Sequence, residues 1–140
     1  MFGFGKKSWV EWFKLGVSYE GAGNYDKAID AFQQVLLVNP EHFAAWFNLG
    51  LIYVGTGQFV KAIDAYQQTV RINPDDAAAW DSLGTAYGSA GQFPKAIAAF
   101  KEAVRIKPDD AQAWQNLAET YSVMGDFIKA AEANRRIVPR

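Results

Sequence analysis

Apolar and polar positions along the chain follow two nested periods. The short one is helical. Over residues 46–53, Trp46, Leu49, Gly50 and Tyr53 stand at i, i+3, i+4 and i+7, one face of an α-helix. Gly57 then supplies a turn residue for which positive φ is easy. Ala62, Tyr66 and Thr69 continue at helical spacing on a second helix. Pro74 stops that helix, because the residue before a proline is pushed out of the α region. The long period is 34 residues. It links Trp12, Trp46, Trp80 and Trp114, then Leu15, Leu49, Leu83 and Leu117, then Tyr19, Tyr53, Tyr87 and Tyr121. Gly23, Gly57, Gly91 and Gly125 keep the same step, as do Ala28, Ala62, Ala96 and Ala130, while Pro40, Pro74 and Pro108 close the first three units. The pattern predicts a tail at 1–8 and helix–turn–helix units over 9–42, 43–76, 77–110 and 111–140, the last incomplete.

Small residues supply a packing logic. Gly16, Gly50, Gly84 and Ala118 in the first helices, with Ala28, Ala62, Ala96 and Ala130 in the second, predict a close helix–helix contact in each unit. Pro94 suits the start of a helix, where its missing N–H costs nothing. Asp75-Asp76 and Asp109-Asp110 stand just ahead of first helices, where the helix dipole favours a carboxylate; no metal-ligand spacing accompanies them. Each pair leaves apolar surface that only a stacked neighbour can bury. Polar residues replace apolar ones at both ends. Glu11 and Ser18 stand where later units have Ala45 and Ile52, and Asn134 stands in the place of Phe32, Tyr66 and Phe100. Two readings of the far end stand: a solvent-facing end, or a weak last helix, since Pro139 comes early.

Composition narrows the chemistry. With 140 residues, half of them apolar and 21% charged, the chain predicts one folded domain rather than disorder. A net charge of −1 provides no overall basic field for nucleic acid. Without cysteine there is no disulfide framework, thiol nucleophile or cysteine zinc site. The single histidine, His42, reads as a surface residue of an inter-repeat turn, and the serines have no other conventional base. Gly84, Gly88 and Gly91 superficially suggest a phosphate loop, but no strand precedes them. The expectation is therefore no enzyme, no cofactor and no metal. No stretch approaches the ~20 apolar residues of a membrane span, and the start is not a signal peptide, so a cytoplasmic location is the default. Unit charges drift from −3 through −1 and 0 to +1, which reads as a solvated surface.

The Trp-Leu-Gly-Tyr-Ala-Pro order at this period resembles the tetratricopeptide repeat family over residues 9–140. Unit two fits at every signature place with Trp46, Leu49, Gly50, Tyr53, Ala62, Tyr66 and Pro74. The resemblance implies an all-α fold, a right-handed superhelical stack of about four helix pairs. It also implies that first helices line the concave side. The motif is specific for fold and weak for function.

The outer stripes of the first helices differ along the chain. Val10, Phe13 and Val17 in unit one, and Ala44, Phe47 and Leu51 in unit two, make an apolar half. Ala78, Asp81 and Thr85, then Gln112, Gln115 and Glu119, make a polar and slightly acidic half. A contiguous exposed apolar patch marks an interaction site; the competing reading tucks Phe13 and Phe47 into core seams. The residues before each signature leucine are Lys14, Asn48, Ser82 and Asn116. The resemblance implies an asparagine ladder for an extended peptide backbone here, which Asn48 and Asn116 match. The family's carboxylate clamp is absent, because Phe13, Val17, Asp81 and Thr85 occupy its places. The chain thus reads as a non-catalytic module binding a protein or peptide partner through Phe13, Val17, Phe47, Asn48, Leu51 and Asn116. The alternative is a self-assembling scaffold, a homo-oligomer formed through the apolar groove, the terminal repeat or the tail, where Met1-Phe2-Gly3-Phe4 would plug the patch.

Overall fold

The computed structural model describes residues 6–137, which form eight helices and no strand. These are α1 (Trp9–Gly21), α2 (Tyr25–Val38), α3 (Phe43–Gly55), α4 (Phe59–Ile72), α5 (Ala77–Ser89), α6 (Phe93–Ile106), α7 (Ala111–Val123) and α8 (Phe127–Arg135). First helices begin at 9, 43, 77 and 111, so the 34-residue period is the period of the helix pair. Each first helix packs on its own partner and, from α3 onward, on the second helix of the preceding pair. No helix of the described residues is long and apolar enough to cross a membrane.

Local chemistry sets the helix ends. Ser8 opens α1 with a reciprocal capping box to Glu11. The caps of the other first helices are His42, Asp76 and Asp110, each accepting from the backbone N–H three residues on. His42 therefore corrects the surface reading. Its Nδ1 accepts from the Ala45 N–H at 3.1 Å, and its ring packs on Trp9 and Phe13 with centroids 5.1 and 4.9 Å away. Burial pushes its pKa down, which favours the neutral imidazole that this acceptor role needs. Inside each pair the turn glycine takes φ near +80°, as at Gly57 (φ 76).

The tryptophans do more than fill the core stripe. The Nε1–H groups of Trp46, Trp80 and Trp114 donate to the carbonyls of Pro40, Pro74 and Pro108 at 2.8, 2.8 and 2.7 Å. Each indole thus latches its helix to the turn that precedes it. This explains why Trp and Pro share one period.

The small-residue contact also needs a correction. Ala28, Ala62, Ala96 and Ala130 are buried as expected, but the glycines make room for a ring. A Cβ at Gly16 would lie 2.6 Å from the Phe32 ring, and one at Gly84 would lie 2.6 Å from the Phe100 ring. At Gly50 the obstacle is Tyr66, whose burial raises its hydroxyl pKa to about 12. In the fourth pair the ring is replaced by exposed Asn134, and there the glycine is replaced by Ala118. On the outer side, Lys27, Lys61, Lys95 and Lys129 lie over the rings of Tyr19, Tyr53, Tyr87 and Tyr121 at 5.6 to 5.9 Å.

Both ends are atypical. Glu11 and Ser18 are exposed, whereas Ala45, Ala79, Ile52 and Ala86 in their places are buried. Helix α8 has 9 residues against 14 in each other second helix. Pro139 and the Met1-Phe2-Gly3-Phe4 plug lie outside the described residues.

Candidate functional site

The face shared by α1, α3, α5 and α7 changes character halfway. On α1 and α3 it is apolar. Val10, Val17 and Leu51 are 42, 47 and 45% exposed. Between them lie Phe13 and Phe47, which are half-buried rather than free. The Phe13 ring meets Phe32 at 5.7 Å, and the Phe47 ring meets Tyr66 at 5.7 Å, so the seam reading holds for one side of each ring. Phe47 also stacks on Phe43, with centroids 6.0 Å apart and planes 9° from parallel. Trp9 and Phe43 begin α1 and α3 and extend this surface. Their signal was the first place of each unit, which turns to Ala77 and Ala111 in the later two.

On α5 and α7 hydrogen bonds take over. The Asn116 amide donates from Nδ2 to Oδ1 of Asp81 at 3.1 Å and accepts from Gln112 Nε2 at 3.0 Å. Gln115 Nε2 donates to Glu119 at 3.2 Å. Asp81 is half-buried, and desolvation raises its pKa; the Asn116 hydrogen bond offsets part of this, while Asp110 adds repulsion. The two asparagines are therefore unlike. Asn48 sits half-buried among the apolar groups of α3, whereas Asn116 spends part of its hydrogen-bonding capacity on Asp81.

The structure thus brings Phe13, Val17, Phe47, Asn48 and Leu51 onto two neighbouring pairs and sets Asn116 in the polar half. No group of three or more His, Asp or Glu side chains among the described residues could hold a metal ion. The arrangement has no nucleophile–base pair on this face. Its chemistry is that of a surface: apolar contact at one end, carboxylate and amide groups at the other.

A second apolar surface escaped the sequence reading. Val123, Met124, Phe127 and Ile128, around the α7–α8 turn, are exposed, Phe127 by 70% and Ile128 by 77%. In the turns of the first and third pairs, Gly21, Ala22, Ser89 and Ala90 stand where Val123 and Met124 do. That departure was visible and points to this end of the stack.

A family model described as the cilia and flagella-associated protein 70 C-terminal domain, a tetratricopeptide-repeat model, matches residues 4–136. No curated protein matches the chain. Among solved structures, a crystal structure of MamA is 27% identical, with a TM-score of 0.87 over 92% of this chain and 75% of that one. MamA from residue 41 to its end, from Desulfovibrio magneticus RS-1, is 28% identical, with a TM-score of 0.85 over 92% and 73%.

Proposed function

The chain belongs to the tetratricopeptide-repeat family, and from that premise we propose that it is a non-catalytic module binding a peptide or partner helix in the concave groove lined by its first helices. The fold is of a kind typical of protein-interaction modules. One observation carries the finer reading: Val17 and Leu51 remain nearly half exposed beside the Phe13 and Phe47 rings, on the first helices of neighbouring pairs. Phe13, Val17, Phe47 and Leu51 form the anchor floor. Asn48, able to donate and accept at once, offers a hydrogen-bonding pair to a peptide unit. Asn116 offers its remaining donor at the other end.

Selection from a displayed library of random peptides tests this reading. Peptides of about twelve residues extend to roughly 40 Å, enough to cross four helices packed ~10 Å apart. Wild-type protein is expected to enrich apolar sequences that a Val17→Asp/Leu51→Asp variant does not hold. Equal retention by both proteins would move the binding surface elsewhere.

The exposed Phe127 and Ile128 favour a second reading, in which copies associate through the α7–α8 end. Sedimentation velocity over a concentration series separates the two. Self-association that disappears in Phe127→Ser/Ile128→Ser, with peptide binding intact, would assign assembly to this end and recognition to the groove.

A further inference from the structure

From the second pair onward, charge is segregated between the two sets of helices, whereas α1 carries Glu11, Lys14 and Glu20. Helix α3 carries no charged residue, α5 carries only Asp81 and α7 carries only Glu119. The basic residues of the last three pairs, including Lys61, Arg71, Lys95 and Lys101, lie on second helices or in turns. Among the described residues the ion pairs are Arg71–Glu41, Arg105–Glu102 and Lys129–Asp126, so neither Asp81 nor Glu119 has a cationic partner. Asp81 holds the same register place as Phe13 and Phe47, two pairs beyond the first and one beyond the second.

We propose that the groove selects a segment in which bulky apolar residues, seated on Phe13, Val17, Phe47 and Leu51, lie about three residues from a lysine or arginine that faces Asp81 and Glu119. This rests on the groove reading above and adds the chemistry of the partner. The Asp81–Asn116 bond bridges α5 and α7, so successive first helices lie about one helix diameter apart, ~10 Å, and extended chain covers that in about three residues at ~3.3 Å each. The occupant follows from charge complementarity: this face of α3, α5 and α7 holds two carboxylates and no cation to answer them. Asp81 is partly desolvated and is repelled by the charge of Asp110, so an arriving cation relieves both burdens. An acidic partner segment would meet only repulsion along these helices.

The enriched peptides provide the test. Each is synthesised with its own sequence and with every lysine and arginine replaced by glutamine. Affinities are measured by fluorescence anisotropy for wild type, Asp81→Asn and Glu119→Gln, with folding checked by circular dichroism. On wild type the basic-to-glutamine change is expected to weaken binding about tenfold, and added salt to weaken the basic peptide more than its glutamine form. On Asp81→Asn the same change is expected to cost much less, the mark of direct coupling in a double-mutant cycle. Glu119 is exposed, so the Glu119→Gln arm reports even where Asp81→Asn disturbs folding. Enriched peptides without basic residues, or a basic-to-glutamine loss equal on all three proteins, would overturn the inference and leave the groove reading in place. No enrichment by wild type, or enrichment indifferent to Val17→Asp/Leu51→Asp, would overturn both.

Discussion

The first-helix faces of the first two pairs and of the last two share one backbone plan and differ in what lies on it. Where α1 and α3 present Phe13, Val17, Phe47 and Leu51, α5 and α7 present Asp81, Thr85, Gln115 and Glu119. Phe47 rests on Tyr66 and Phe43, while its counterpart Asp81 rests on an amide from the next pair. The architecture is indifferent to this change because it is carried by positions turned elsewhere. These are the glycine under each ring, the tryptophan latched to a proline carbonyl and the lysine over each tyrosine. A repeat fold that separates its supporting positions from its displayed ones leaves the displayed face free to acquire a partner.

The hardest blow to that separation comes from the supporting positions, which should fail alike in both halves. Gly50→Leu drives a side chain into the Tyr66 ring, and Gly84→Leu drives one into the Phe100 ring. Each is expected to cost about 3 kcal/mol in urea unfolding, the upper part of the range for overpacked cores. A large loss at Gly50 with none at Gly84 would show that the two halves are built differently after all.

A smaller and deliberately unequal effect belongs to the displayed face. Phe47→Asp removes a ring packed on Tyr66 and Phe43 and sets a charge there, so a loss of about 2–3 kcal/mol is expected. Gln115→Asp, two pairs further on and exposed, should stay within ~0.5 kcal/mol. Thermal melts followed by circular dichroism check both. Equal stability of the two variants would mean that Phe47 contributes nothing to its own repeat.

The unequal legibility of these features has a physical basis. The helix pairs could be read because each supporting place repeats one residue type at the same step. The carboxylate caps Asp76 and Asp110 were readable on the same ground, and Ser8 and His42 hold the same place at the same 34-residue step. His42 escaped because histidine is an unusual cap. The Trp–Pro latch escaped because its acceptor is a backbone carbonyl, which no side-chain pattern reveals. Phe13 and Phe47 stood between two readings, surface and core seam, because a residue at the edge of a core stripe keeps the same helical spacing as one just outside it. The Asp81–Asn116 bond lies across 35 residues and occurs once, so no period announces it.

That bond makes the polar half sensitive to pH in a direction that can be worked out. The folded pKa of Asp81 lies above its ordinary value of 3.8, chiefly through desolvation. A carboxyl raised on folding holds its proton more tightly in the folded state, so ionising it opposes folding. This cost is fully present above the folded pKa and fades as pH falls through that value toward 3.8. Asp81→Asn keeps an oxygen for the Asn116 amide and removes the charge. It is expected to be more stable than wild type at neutral pH, with the difference shrinking as acid protonates the wild-type residue. Paired urea titrations at neutral and acidic pH read this; a difference that stays constant would assign it to packing rather than ionisation.

The mildest substitutions bear most directly on function. Val17 and Leu51 are the apolar groups on α1 and α3 that the fold uses least, each nearly half exposed. Replacing either with glutamine keeps a good helix former of similar length and removes apolar surface already largely in contact with water. Stability is expected to change by no more than ~0.5 kcal/mol, with helix content unaltered. Binding should respond differently, because an anchor site loses affinity when the apolar area that a partner would cover becomes polar. Val17→Gln/Leu51→Gln should therefore hold apolar peptides about tenfold more weakly while melting with the wild type. Thr85→Gln, on α5, exposed and in register with Leu51, should leave both quantities nearly unchanged. If Val17→Gln/Leu51→Gln instead loses stability and not affinity, these side chains belong to the packing of the first two pairs, and the apolar half is core turned outward rather than a surface held open for a partner.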